Sequence, residues 1–211
     1  MTPLARPSGA GINAPMNGLR LETERLILRP QERQDFEPWA AMMADEQTAR
    51  FLGGVQPRQT AWRGFMSMAG SWAMLGFAMF SVIEKESGRW VGRVGPWMPD
   101  GWPGTEVGWG LSRDAWGKGY ATEAAAAAMD WAFDHLGWTE IIHCIDPANI
   151  PSRRLAERLG SRYLRPGKAP PPLDGLEFDL WGQTRDEWRA RRRAAACTAP
   201  PSPSSAWGRR A

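Results

Sequence analysis

Apolar residues recur along the chain at two different spacings, which predict alternating strands and helices. Short apolar runs predict strands at 26–28, 77–83, 90–94, 106–111, 141–145 and 176–181. Apolar positions three or four residues apart predict helices that begin near Asp35, Pro57, Thr122, Asn149 and Thr184. This order of elements predicts a mixed α/β (α+β) domain with helices on both faces of one sheet.

Local signals define the last two helices more closely. Asn149 is a typical N-terminal cap, and Gly160 is a typical helix end, so the fourth helix is expected to run to Leu159. Thr184 and Glu187 have the spacing of a capping box, in which each residue bonds the backbone of the other. This pattern predicts a short terminal helix that continues through Trp188.

The two ends of the chain lack this periodicity. Residues 1–20 are rich in Pro, Gly and Ala, and we expect them to form a flexible N-terminal arm. Residues 194–211 are of low complexity, which is typical of a disordered tail. The folded domain is therefore expected to span residues 21–193.

Charge is distributed unevenly between the domain and its C-terminal end. The formal net charge is +3, but the stretch from Arg185 onward holds seven Arg and two acidic residues. The rest of the chain therefore carries about −2, and the pI near 9.2 largely reflects the C-terminal end. Because nucleic-acid binding needs a basic face on the domain itself, no nucleic acid is expected among the partners.

Several other classes of protein are disfavoured by what the sequence lacks. Cys144 and Cys197 are the only cysteines and have no metal-ligand spacing, so neither a metal site nor a disulfide framework is expected. The first residues do not read as a secretory signal, and no apolar run reaches the length of a membrane span. We therefore expect a cytoplasmic protein that has no membrane partner.

The most informative segment is the predicted strand, glycine-rich turn and helix over residues 106–135. A helix N-terminus presents unpaired backbone N–H groups, and Gly117 and Gly119 would let a phosphate approach them closely. Lys118 adds a positive charge. The loop matches neither the phosphate-binding loop of nucleotide hydrolases nor the dinucleotide-binding fingerprint. By itself it predicts either an anion site or an ordinary tight turn.

Three segments together resemble a known family. Residues 107–111 (VGWGL) followed by 116–124 (WGKGYATEA) resemble the first acetyl-CoA motif of the GNAT superfamily of N-acetyltransferases. Residues 149–160 resemble its second motif, NxxSxxLxxxLG. The opening LETERLILR at 21–29 is similar to the Rim-type branch, which acetylates the N-termini of ribosomal proteins. The resemblance extends over about residues 21–165.

The resemblance implies a fold and a donor site. The fold would be a mostly antiparallel central sheet with one splayed parallel strand pair, and the acyl donor would be acetyl-CoA, with no metal. The pantetheine arm would lie against the backbone of Trp109, Gly110 and Leu111. Further contacts would come from the second motif through Asn149 and Ser152. The diphosphate would lie against the loop residues Trp116, Gly117, Lys118, Gly119, Tyr120, Ala121 and Thr122.

The resemblance also implies a direct transfer, without an acyl-enzyme. Glu106 would take the proton of the amine; the alternative is a surface carboxylate at an edge strand. Many relatives protonate the thiolate with a Tyr where this chain has Ala156, so Ser152 is the substitute acid, or else only a hydroxyl that satisfies the helix end. Tyr163 is another candidate acid, although core packing is the expectation for it. His135 and His143 are expected to be structural.

The resemblance implies that the acceptor would be a primary amine, either a protein or peptide N-terminus or a small molecule. A non-catalytic acyl-CoA-binding regulatory domain is the alternative, and the resemblance also suggests a homodimer. The acceptor would lie between the first two helices and the last strands. Its expected lining is Trp39, Phe51, Trp62, Trp72, Trp97 and the Pro-rich stretch 166–172. The acids that attract the amine, or that are simply solvated, are Asp100, Asp174, Glu177 and Asp179.

Overall fold

The computed structural model describes residues 18–171 and 176–198, which form one sheet with helices on both faces. The sheet has eight strands in the order β1-β2-β3-β4-β5-β6-β8-β7. Neighbouring strands are antiparallel except for the parallel pair β5 and β6. The strands are β1 Leu21–Glu22, β2 Leu26–Arg29, β3 Phe80–Glu84, β4 Trp90–Trp97, β5 Glu106–Leu111, β6 Glu140–Ile145, β7 Arg162–Lys168 and β8 Glu177–Thr184. The mostly antiparallel sheet with one parallel pair, which the family resemblance implied, is confirmed.

Six α-helices and two short 3-10 turns occur in the described residues. The helices are α1 Phe36–Ala44, α2 Glu46–Ala49, α3 Arg58–Leu75, α4 Tyr120–His135, α5 Ile150–Leu159 and α6 Arg185–Thr198. The Asn149 cap and the Gly160 end of α5 are present as predicted. The capping box is also present: Glu187 accepts from the backbone N–H of Thr184, and Thr184 accepts from that of Glu187. The backbone bond from Thr184, together with the side-chain bonds from Arg162 and Thr184, lowers the pKa of Glu187 to about 2.

Some predicted boundaries differ from the structure. β3 begins at Phe80 instead of Phe77, because the ladder to β4 begins there, although Phe77 is already buried. β7 was not predicted, because it is an edge strand of mostly exposed side chains that lacks an apolar pattern. α6 continues to Thr198 instead of ending after Trp188, so residues 194–198 of the predicted tail are helical. The predicted N-terminal arm up to residue 17, and residues 199–211, lie outside the described residues.

One face of the sheet, here called the α4 face, is covered by α4 and α5. Phe80, Val94 and Trp109 are cross-strand partners in turn, so their side chains share this face. The Phe80 ring meets Trp131 of α4 edge to face at 5.2 Å. The Trp109 indole reaches Ser152 at the start of α5. Both helices that follow the parallel strands therefore lie on one side.

The opposite face, here called the α1 face, carries the polar row Arg29, Ser81 and Arg93, which ends at Gly110 of β5. The guanidinium of Arg93 lies over the ring of Trp39 from α1, at 4.7 Å from its centre.

In the described part of the chain no helix has the length and apolarity needed to cross a membrane.

The last helix, α6, is fastened to α4. Trp188 is only 3% exposed and belongs to the main core. Its indole donates to Asp130 of α4 at 2.7 Å. Arg189 and Arg192 form ion pairs with Asp134 and Asp130. Part of the C-terminal basic charge is thus balanced by the acids of the neighbouring helix.

Candidate active site

The two parallel strands separate soon after they meet. Glu106 and Ile142 are the one registered pair between β5 and β6, and the N–H of Ile142 donates to Thr105 at 2.9 Å. Further along, the side chain of His143 spans the space, with Nδ1 at 2.6 Å from the carbonyl oxygen of Val107. We call the opening between 107–111 of β5 and 143–145 of β6 the β5–β6 cleft.

The backbone of β5 turns polar groups towards this cleft. The carbonyl of Val107 faces His143, and the carbonyl of Leu111 accepts from the Trp116 indole at 2.9 Å. In contrast, the N–H of Ser112 donates the other way, to Val91 of β4. Because these directions alternate along a strand, the N–H and C=O of Trp109 also point into the cleft. The backbone of Gly110 points to β4, so of the three predicted β5 contacts only Trp109 and Leu111 present backbone polar groups there.

The glycine-rich loop ends at the start of α4. Gly117 and Gly119 adopt φ angles of 75° and 80°, in the left-handed region that favours glycine. No side chain caps the N-terminus of α4, so its first N–H groups stay available to a ligand. Arg25 holds the loop by donating to the carbonyl of Lys118 at 2.9 Å and by an ion pair with Glu123 at 2.6 Å. The loop is thus a fixed cradle with a partial positive charge.

The side chains of the loop have different surroundings. Trp116 is about half exposed, although its indole is bonded to Leu111. Lys118 is also about half exposed, with its ammonium 3.8 Å from the carboxylate of Glu84. Tyr120 is buried and donates to the same Glu84 at 2.6 Å. Ala121 and Thr122 lie in the first turn of α4, where they offer backbone N–H groups.

Asn149 and Ser152 close the far side of the cleft. The Oδ1 atom of Asn149 accepts from the N–H of Ser152 at 3.2 Å, which caps α5. The hydroxyl oxygen of Ser152 accepts from the Trp109 indole at 3.1 Å, across the space between β5 and α5. Since the oxygen acts as acceptor in that bond, the Ser152 O–H remains free to donate to another group.

Glu106 lies on the opposite side of the cleft from Ser152. Side chains alternate between the two faces along β5, so Glu106 lies on the α1 face, opposite to Trp109. Glu106 is only 6% exposed, which rules out the alternative that it is a surface carboxylate. Its two oxygens accept from the indole of Trp102 at 2.5 Å and from the backbone N–H of Cys144 at 3.2 Å. Burial nevertheless raises the pKa of Glu106 to about 7.

The remaining candidate acids and bases lie elsewhere. Tyr163 is 48% exposed beside Trp181, so the prediction that it packs in the core is wrong. His143 is fully buried between Val107 and Ser161, and burial lowers its pKa to about 4, so the ring is neutral. His135 stacks on Trp131 in the last turn of α4, at the opposite end of this helix from the glycine-rich loop.

The expected acceptor lining is only partly accessible. Trp39 and Trp72 are buried core residues and cannot line a pocket as the sequence suggested. Phe51, Trp62 and Trp97 are partly exposed. Among the expected acids, Asp174 lies outside the described residues and Glu177 pairs with Lys168 at the exposed sheet edge. Sequence reasoning missed Trp102 and Arg93, because neither belongs to a motif and both owe their position to the folded sheet.

Comparison with known proteins identifies this arrangement. The family model described as the acetyltransferase (GNAT) domain matches residues 25–162. This chain belongs to the GNAT acetyltransferase family. It is an acetyl-CoA-dependent N-acetyltransferase. One similar protein is the uncharacterized N-acetyltransferase p20 from Bacillus licheniformis. The two are 32% identical over 176 residues, which cover 82% of this chain and 89% of that protein.

Solved GNAT structures share the fold. An acetyltransferase from Agrobacterium tumefaciens has 30% identity and a TM-score of 0.68, over 78% of this chain and 94% of its own. Rim-type proteins also appear among the relatives of this GNAT chain. RimJ from Mycobacterium smegmatis, solved in complex with CoA-disulfide, has a TM-score of 0.62 at 22% identity, over 82% of this chain and 89% of its own.

Proposed function

We propose that this protein transfers the acetyl group of acetyl-CoA directly to a primary amine while both substrates are bound. The observation that carries the proposal is the placement of Glu106 and Ser152 on opposite faces of the β5–β6 cleft. A thioester held in the cleft would have a proton acceptor on one side and a proton donor on the other. The acceptor amine is a protein N-terminus or a small molecule, and we place the reaction in the cytoplasm.

The donor fits the residues that are present. The loop 116–122 offers uncapped N–H groups at the α4 N-terminus, which suits a diphosphate. The backbone of Trp109 and Leu111 faces the cleft, where it would pair with the amide groups of an extended pantetheine chain. One of these N–H groups would also hold the thioester carbonyl and stabilise the negative charge that develops on its oxygen. When bound, acetyl-CoA supplies the activated acetyl group.

Two side chains would move the protons. Glu106, with a pKa near 7, is poised to accept a proton from the attacking amine at neutral pH. As the new C–N bond forms and the C–S bond breaks, the Ser152 hydroxyl would pass a proton to the leaving sulfur, and solvent would return the proton taken by Glu106 to the serine oxygen. The Trp109 indole fixes the Ser152 oxygen by donating to it, so the O–H is oriented away from Trp109.

The test combines binding with turnover. Calorimetry should detect acetyl-CoA binding, and a free-thiol assay with a panel of primary amines should detect release of CoA. We expect Glu106→Gln to lower kcat about 10²–10⁴-fold, because it removes the group that accepts the proton of the amine. We expect Ser152→Ala to lower kcat about 10-fold or more, because it removes the group that donates a proton to the sulfur. The acid limb of the kcat/KM profile, which rises towards pH 7 as Glu106 loses its proton, should be absent in Glu106→Gln.

Matched controls are Glu157→Gln and Ser67→Ala, which change exposed residues outside the cleft. Both should retain wild-type rates. Acetyl-CoA binding without thiol release from any amine would favour the non-catalytic regulatory domain. Full activity in both Glu106→Gln and Ser152→Ala would refute the assigned proton transfers.

A further inference from the structure

Arg93 on β4 is a partly exposed cation that lacks a carboxylate partner among the described residues. Its Nε atom is buried and has no hydrogen-bond partner. One terminal nitrogen donates only to the sulfur of Met79, at 3.6 Å, which is a weak acceptor. The guanidinium also lies over the ring of Trp39, at 4.7 Å. These contacts replace little of the hydration that burial removes.

The neighbouring arginine on the same face shows what a complete environment looks like. Arg29 stands two places away in the cross-strand row that runs through Ser81 to Arg93. Its guanidinium binds Asp35 with two bonds, at 2.7 and 2.9 Å. The fold thus provides a carboxylate for one arginine of the row and leaves the other without one. Burial lowers the pKa of Arg93 only to about 10, so it stays charged at neutral pH.

Arg93 lies on the same face as the proposed base. A side chain at Gly110, its partner in β5, would meet the Arg93 Nε at 3.8 Å. A side chain at Gly108 would meet the Glu106 carboxylate at 3.2 Å. Positions 108 and 110 are neighbours on one face of β5, roughly 7 Å apart, so the two charged groups lie against adjacent positions of the same strand face. Within the described chain, Glu106 is also the charged group whose field acts on Arg93.

We propose that Arg93 binds a carboxylate of the acceptor, and that the acceptor is therefore a free amino acid or a similar small amine with a carboxylate near its nitrogen. The inference rests on the proposed transfer to an amine. A guanidinium matches a carboxylate through parallel N–H bonds, and its unsatisfied Nε is one arm of that fork. Glu106 and Arg93 then receive the two opposite charges of one zwitterion.

The experiment compares matched acceptors with the full-length protein and acetyl-CoA. Each amino acid is assayed beside its amide and its decarboxylated amine, and beside a peptide that begins with the same residue. We expect kcat/KM to be at least tenfold higher for the acid, with most of the difference in KM. In Arg93→Met this preference should fall at least tenfold, whereas Arg158→Met, a change at an exposed residue of α5, should retain it.

Arg93→Lys provides a second variant in case Arg93→Met does not fold. Lysine keeps the charge but loses the fork, so the preference should fall to an intermediate value. Equal rates with acid, amide and amine in the wild-type protein would overturn the inference, as would a preference for the peptide. Absence of thiol release with every amine would instead overturn the proposed function itself.

Discussion

At the scale of single residues, the burial of Glu106 has a measurable consequence for stability. Burial raises its pKa from 4.5 to about 7, so between these values the folded protein binds a proton that the unfolded chain releases. The free energy of unfolding must therefore fall as the pH rises from 4.5 to 7. A shift of this size corresponds to at most about 3–4 kcal/mol. We expect Glu106→Gln to melt at a higher temperature than the wild type at pH 8, and at a similar temperature at pH 4.5.

The measurement is a series of thermal melts across this pH range. The bonds from Trp102 and Cys144 act in the opposite direction, because both favour the ionised carboxylate. His143 also contributes to the profile below pH 6.5. Its lowered pKa makes the folded state lose stability as the pH falls towards 4, in both proteins alike. A Glu106→Gln protein less stable than wild type at pH 8 would show that these bonds outweigh burial.

At the scale of elements, substitution of a glycine can test whether the backbone of the glycine-rich loop binds acetyl-CoA. Gly117 and Gly137, at the two ends of α4, have φ angles of 75° and 67° with open space where a Cβ would be. Alanine at either position should cost about 1–2 kcal/mol of stability, because the left-handed backbone disfavours it. We expect only Gly117→Ala to weaken acetyl-CoA binding in calorimetry. Equal affinity in both variants would remove the loop from the donor site.

Individual elements also differ in how well the sequence predicted them. The caps at Asn149 and Thr184 were predicted correctly because both are local, using side chains within three residues of the backbone they bind. The family motifs could be recognised for the same reason, because each is a continuous stretch of the sequence. β7 was missed because it depends on β8 for its position and has no apolar period of its own. Arg93 was missed because its surroundings, which lack a carboxylate partner, are defined only by the folded sheet.

At the scale of the whole molecule, α6 is held against α4, the helix that follows the glycine-rich loop. Trp188 is buried against α4, so Trp188→Ala should cost about 3–5 kcal/mol through the cavity it leaves, as measured by urea unfolding. Arg189→Ala removes only an exposed ion pair with Asp134 and should cost under about 1 kcal/mol. If the two variants lost equal stability, the surface charges of α6 and not its buried indole would hold it to α4.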